Sequence, residues 1–285
     1  MAELRVGILG GSSLLGERAL PLLADTVCQV SAFTRGELKA SSARVVWRDA
    51  DDWHGVELDA FLSFAPIWVV PSYLERLSAS KVRRVVVLSS TSRFIKEQSP
   101  DPRERALAQC LIRAEDCVRK WAQERGVEWV ILRPTMIYGF GRDKNIAEVA
   151  RFIRRFGFFP LIGGGVGLRQ PVHVDDVVQA CMAALNTPCV ESGSYNLSGG
   201  EVLAYRTMVA RIFQAQGIPE RMLPLSAGLL SLAISAMRCL PRYRHLSAAL
   251  VARMSQDLVF DHSRASGHFG FLPRPFHLSD GDLPE

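Results

Sequence analysis

The sequence predicts an α/β fold: a doubly wound parallel sheet carrying a smaller, mostly helical C-terminal lobe. Three observations carry that prediction. Strand-like and helix-like segments alternate through the first two thirds of the chain, the pattern of a parallel sheet built with right-handed crossovers. The first strand-like run, LRVGILG, is continuously apolar, as suits a strand buried on both faces. That run then breaks into glycines and serines before resuming with helical periodicity, which reads as strand, tight turn and helix N-terminus.

In chain order, LRVGILG is followed by the helical GERALPLLAD and then by CQVSAFTR as a second strand. ARVVWRD reads as a third strand, LDAFLSFAP as a fourth stopped by Pro66, RRVVVLSST as a fifth and VEWVILRP as a sixth. Between the last two lies a long helix, DPRERALAQCLIRAEDCVRKWAQERG. Asp101 and Pro102 are suited to open it and Gly126 to close it. After residue 139 the pattern changes to glycine-rich loops, a short helix near NIAEVARFIRRF, the segment PVHVDDVVQACMAAL and a predominantly helical final third.

Composition narrows the classes. The chain has 285 residues, 48% of them apolar and 22% charged, with no low-complexity tract or solenoid repeat. The net charge is +5, but basic residues are scattered rather than gathered on one stripe, so no nucleic-acid partner is expected. Six cysteines show no C-x-x-C pair and no zinc spacing, so no metal site is predicted and free thiols in a reducing compartment are expected. With no basic-then-apolar leader before the first strand, the expected location is cytoplasmic. Residues 222–237 carry no charge, yet they fall short of the roughly 20 apolar residues of a spanning helix. Ser231, Ser235, Arg238 and Arg242 share one helical face there, and with Arg244 and His245 they leave peripheral membrane contact through 222–245 open.

The turn after the first strand is built for phosphate. Gly10 permits tight geometry, the helix N-terminus offers free N–H groups, and Gly16 lets helix and strand pack closely. Ser12 and Ser13 would add hydroxyl donors. The second strand ends in Thr34-Arg35-Gly36, where an acidic residue would bind a ribose 2′-hydroxyl and an arginine favours a 2′-phosphate. NADP(H) is therefore expected over NAD(H). Asp49 either contacts the adenine or begins the turn DADD.

At ILRPTMIYGFGRD and RQPVHVDDVV the chain resembles the extended short-chain dehydrogenase/reductase superfamily, in its NAD-dependent epimerase/dehydratase branch. The likeness extends to the glycine loop, VVVLSSTS, YNLSGGEVLAYRTMVARIF and DLVFDHSRASGHFGFLPRPF. It implies a Rossmann-type fold, with an NADP(H)-binding core over 1–139 and about 172–198 and a substrate lobe over 140–171 and about 199–285. Arg133, Pro134, Tyr138 and Gly139 match the family's turn beside the nicotinamide, which makes Pro134 a cofactor-binding candidate. Arg169, His173, Val174 and Asp175 match a later segment; the counterpart of Arg169 binds a substrate phosphate in nucleotide-sugar enzymes, whereas His173 and Asp175 match as structural residues. A small-molecule substrate, with nucleotide-sugars as its class, and a homodimer are further implications.

The family's chemistry uses a serine or threonine after the fifth strand and a tyrosine with a lysine four residues on. The cation lowers the phenol's pKa, so that a proton can move as hydride moves. Ser90 stands at the hydroxyl position, either as a substrate hydrogen-bonder or as a cap on its turn. None of the five tyrosines has lysine four residues on. On the long helix, Ala106 or Leu107 aligns with the tyrosine and Cys110 or Leu111 with the lysine. Tyr138 is the remaining candidate proton carrier, unless it only shapes its turn. Three readings follow: an NADP(H)-dependent oxidoreductase or nucleotide-sugar epimerase/dehydratase-like protein with non-standard proton transfer; a catalytically silent NADP(H)-binding redox sensor or accessory subunit; and a reductase of a hydrophobic carbonyl substrate.

Overall fold

Burial on both faces of the strands organises the fold. In the computed structural model, which describes residues 4–26, 28–225, 228 and 254–284, Val6 and Ile8 of the first strand face one apolar layer and Leu9 faces the other. The first half of the chain contains β1 (Leu4–Leu9), α1 (Leu14–Asp25), β2 (Cys28–Thr34), β3 (Val45–Asp49), β4 (Ala60–Ser63) and α2 (Leu74–Ala79). It continues through β5 (Arg84–Leu88), α3 (Ser92–Lys96), α4 (Pro102–Arg125), β6 (Glu128–Pro134) and β7 (Ile137–Tyr138). There follow α5 (Ile146–Phe156), β8 (Phe159–Ile162), β9 (Leu168–Arg169), β10 (Val172–His173), α6 (Val174–Asn186) and β11 (Gly193–Leu197). The last are β12 (Leu203–Ala204), α7 (Tyr205–Ala215), β13 (Met222–Leu225) and α8 (Ser263–Phe269).

Seven strands form one parallel sheet in the order β11-β6-β5-β4-β1-β2-β3. All six strands expected from the sequence are in it. The seventh, β11, has the short alternating pattern GSYNL, too brief and too polar to stand out along the chain. Chain order reverses between β1 and β4, so the crevice beyond their carboxyl ends is where such a sheet takes a ligand. Leu9 lies level with Phe33 on one side and Ser63 on the other, which brings the ends of β1, β2 and β4 to one rim.

Helices α1, α6 and α8 cover one face, with Ala19, Leu23, Val177, Cys181 and Phe269 packed on Val6, Ile8, Val30 and Val86. Helix α4 and the segment Ile67–Tyr73 cover the other, where Leu111, Val118 and Trp121 meet Phe33, Phe61, Val87 and Ile131. A third cluster lies outside the sheet: Ile146, Ile153, Phe159, Met208, Ile212 and Phe213 gather around Tyr138 and Phe276. It is held by the short pairs β7–β10, β9–β12 and β8–β13.

Local chemistry sets the helix ends. Asp101 accepts the Arg103 N–H at 2.9 Å to open α4, Pro102 takes a position where no donor is needed, and Gly126 closes it at φ +65°. Helix α1 begins at Leu14, two residues before the expected start, because Ser13 is its N-cap. Among the described residues no helix is long and apolar enough to cross a membrane. The stretch 222–245 lies outside the described residues beyond Leu225, except for Gly228.

Candidate functional site

The glycine turn is fixed by contacts that leave no room for larger residues. Gly10 has φ +83°, and a Cβ there would lie 2.8 Å from the Ala65 nitrogen. A Cβ on Gly16 would lie 2.3 Å from the Gly10 carbonyl oxygen. The Ser13 N–H donates to that carbonyl at 3.0 Å, and Ser13 Oγ accepts the Gly16 N–H at 3.1 Å. The serine that replaces a glycine in this loop is thus a helix cap, and its O–H is left free to donate.

Gly10, Ser12 and Arg35 line one cleft of about 420 Å³, together with Leu9, Phe33, Thr34, Gly36, Ala65 and Val69. The cleft opens at the rim where β1, β2 and β4 end. Its glycine wall, the capped N-terminus of α1 and the arginine after β2 fit a dinucleotide: backbone close enough for a pyrophosphate, and a cation for a ribose phosphate. Asp49 ends β3 outside this lining, and its Oδ1 accepts the Asp51 N–H at 2.8 Å, so it begins a turn. Among the described residues no cluster of histidine, cysteine and carboxylate side chains could hold a metal ion.

The other half of the rim is built differently. Ser90 follows β5 and its Oγ accepts the Ser92 N–H at 3.1 Å, which leaves its own proton available. Pro134 ends β6, and its carbonyl accepts from the Thr91 backbone and hydroxyl, both at 3.2 Å. Beneath them lies Glu115 of α4, only 3% exposed. It accepts from Ser89 Oγ at 2.5 Å, from Arg133 Nε and Nη2 at 3.0 and 2.6 Å, and from Arg93 Nη1. Both guanidinium groups also lie over the Phe94 ring, 5.1 and 5.3 Å from its centroid. The sequence reading missed Glu115 and Arg93. A signal was present: Glu115 falls on the apolar stripe of α4 between Ala114 and Val118, where an unpaired acid would be costly.

On the same helix Ala106 and Cys110 are exposed, Leu107 is half-buried and Leu111 is in the core. Ala106, Leu107 and Leu111 carry no ionisable side chain, and Cys110 carries a thiol.

Tyr138 and Arg169 stand apart from the cleft. Tyr138 is fully buried, donates its O–H to the His277 carbonyl at 3.1 Å, and packs edge-on against His173 and Phe276. Burial pushes its phenol up to about 12. Arg169 is 4% exposed and its Nη1 donates to the Leu168 and Gln256 carbonyls, both at 2.7 Å, with its guanidinium over the Tyr205 ring. His173 Nδ1 accepts the Asp175 N–H at 3.1 Å, so its proton is on Nε2, 3.0 Å from Asp282 Oδ1. Burial alone would raise the Asp282 pKa, but hydrogen bonds from His173 and Ser279 outweigh it and hold the carboxyl well below its usual range. Asp282 thereby ties the segment after Phe276 to the turn at Phe140, whose N–H it also accepts.

Residues 70–198 match the model of the NAD dependent epimerase/dehydratase family. An uncharacterized protein of Sinorhizobium fredii, y4nG, is 24% identical over 204 residues, 69% of this chain and 50% of its own length. The Arabidopsis thaliana protein named NADH dehydrogenase (ubiquinone) 1 alpha subcomplex subunit 9, mitochondrial, is 40% identical over 76 residues, 26% of this chain and 19% of its own. The matches thus span half or less of those relatives. Among solved structures, the UDP-glucuronic acid 4-epimerase of Bacillus cereus in complex with NAD has a TM-score of 0.70 at 15% identity, covering 98% of this chain and 95% of that one. The UDP-N-acetylglucosamine 4-epimerase of Bacillus cereus has a TM-score of 0.71 at 16% identity, covering 96% and 95%. At such identities the likeness is one of fold. The chain thus matches the model of the NAD dependent epimerase/dehydratase family over residues 70–198 and shares the fold of these two epimerases.

Proposed function

We infer that this chain binds NADP(H) in the cleft at Gly10–Gly16 and acts as an oxidoreductase or nucleotide-sugar epimerase/dehydratase-like protein that works without a tyrosine–lysine relay. The observation that carries this reading is the glycine cradle, in which side chains at Gly10 and Gly16 would collide with backbone, next to the cation of Arg35. The NAD complexes among the structural neighbours support a dinucleotide there, and Arg35 supports the choice of NADP(H).

The bound dinucleotide would supply hydride exchange at its nicotinamide ring. This chain's residues would do the rest. Gly10, Ser12, Ser13 and Gly16 hold the pyrophosphate, Arg35 holds the 2′-phosphate, and Pro134 shapes the nicotinamide end. Ser90, with its proton uncommitted, donates a hydrogen bond to a substrate oxygen. Proton exchange then runs through Ser90 or solvent. The Tyr138 phenol, buried and committed to a carbonyl, is a poor carrier at neutral pH. The same geometry makes Arg169 a brace for β9 and the Gln256 carbonyl more than a substrate phosphate ligand. A nucleotide-sugar substrate is supported by the neighbours that bind UDP-glucuronic acid and UDP-glucose. In this reading the core spans 1–139 and about 172–198, and the substrate lobe spans 140–171 and about 199–285.

A second reading, a catalytically silent NADP(H)-binding accessory subunit, is favoured by two observations. The relay positions on α4 are aliphatic or thiol, and the plant relative carries the name of a subunit of a larger complex. One experiment separates the two. The protein is incubated with NADPH and a panel of carbonyl compounds and nucleotide-sugars, and both binding and turnover are measured. Turnover supports the enzyme; tight binding with none across the panel supports the accessory subunit.

A further inference from the structure

The first turn of α1 holds an ion arrangement that the reading above does not use. Glu17 carries two cations: Lys39 Nζ at 3.1 Å from Oε1 and Arg142 Nη1 at 2.5 Å from Oε2. Lys39 belongs to the exposed connection between β2 and β3, four residues beyond Arg35. Its ammonium stands 5.4 Å from the centre of the Trp47 ring. That ring in turn abuts the glycine turn, where a Cβ on Gly11 would come within 3.2 Å of it. An exposed cation is therefore held on the Trp47 ring that abuts Gly11, on the turn whose Gly10 and Ser12 line the cleft with Arg35.

We propose that Lys39 is the second cation of the 2′-phosphate site: a ribose 2′-phosphate draws Lys39 away from Glu17 and is gripped by Arg35 and Lys39 together. This rests on the NADP(H) reading and adds that part of the selectivity is stored in the free protein as an exchangeable ion pair. The energetics favour exchange. The Lys39 and Glu17 side chains are 47% and 35% exposed, and so open a pair is worth little. A phosphate offers more charge and several acceptor oxygens, and charge-assisted bonds to it are stronger. Glu17 is not stranded by the exchange, because Arg142 stays on its other oxygen. The Arg142 hydrogen bond is also the largest cause holding the Glu17 carboxyl below its usual range, against burial, with Lys39 adding less.

The test uses adenosine 2′,5′-bisphosphate and adenosine 5′-monophosphate as probes, titrated by calorimetry and tryptophan emission on the full chain. Lys39→Ala should weaken the bisphosphate about tenfold and leave the monophosphate within about twofold. Lys39→Arg should restore most of the loss. Glu17→Gln, which frees Lys39, should tighten the bisphosphate about twofold or more. The bisphosphate should also change the emission of the parent protein, and Trp47→Phe should remove that change. Thermal unfolding of Lys39→Ala at the parent's midpoint keeps the comparison free of misfolding. If the parent binds both probes equally, the NADP(H) reading falls and this inference falls with it. If the parent prefers the bisphosphate and Lys39→Ala keeps that preference, or if Glu17→Gln fails to tighten binding, this inference alone is overturned.

Discussion

At the β1–β2 end of the sheet, Gly10, Ser12 and Arg35 line one cleft within 26 residues of chain, and Ser13 and Gly16 close the turn beside it. At the β5–β6 end, the rim residues Ser90 and Pro134 sit above a buried carboxylate, Glu115, shared by Arg93, Arg133 and Ser89. The first end is shaped for a ligand from outside: open, with N–H groups and a cation facing a cleft. The second has satisfied its own charges. Two arginines converge on one carboxylate beneath the surface, and the Ser90 hydroxyl above them is the donor left uncommitted. On the proposed reading, the difference teaches that binding and reaction chemistry are separable, because the residues assigned to them stand on different strand ends and different helices.

The largest effect expected tests the second end. Glu115→Ala strands Arg93 and Arg133, whose side chains are 21% and 14% exposed, and should cost about 3–5 kcal/mol in chemical denaturation. A loss below about 1 kcal/mol would mean that the cluster is solvated and not an anchor of the rim. Gly16→Ala places a Cβ 2.3 Å from the Gly10 oxygen, and overpacking of this kind costs about 1–3 kcal/mol. It should also weaken dinucleotide binding at least tenfold, and unimpaired binding in calorimetry would remove the cradle from the cofactor site. Arg35→Asp should weaken NADP(H) relative to NAD(H) by about 1.5–3 kcal/mol, read by parallel titration. An unchanged preference would break the asymmetry at its first end. The smallest effect is that of Ser90→Ala, expected within about 0.5 kcal/mol in stability and neutral for cofactor affinity, but lowering turnover on any substrate the panel finds. Reduced cofactor affinity instead would move Ser90 from substrate to cofactor.

Much of this was legible along the chain. The six core strands, both ends of α4 and the glycine turn are local: each depends on a few consecutive residues whose apolar runs, caps and φ preferences read directly. The strand β11 was not, since GSYNL becomes a strand only because β6 offers it a partner. Tyr138 and Arg169 show the same limit. The motifs around them are plain in the sequence, but their hydroxyl and guanidinium partners, the carbonyls of His277 and Gln256, come from 139 and 87 residues away.

By itself, then, the sequence determined the parallel α/β fold, the glycine turn and the lack of any tyrosine with lysine four residues on. Those features are set by short-range sterics, periodicity and residue identity. Only the tertiary structure decided that Ser13 is a cap, that Asp49 begins a turn outside the cleft lining, that Glu115 collects two arginines, and that Lys39 pairs with Glu17. Each of those outcomes depends on which distant donor reaches a given acceptor, and that is settled when the strands take their order in the sheet.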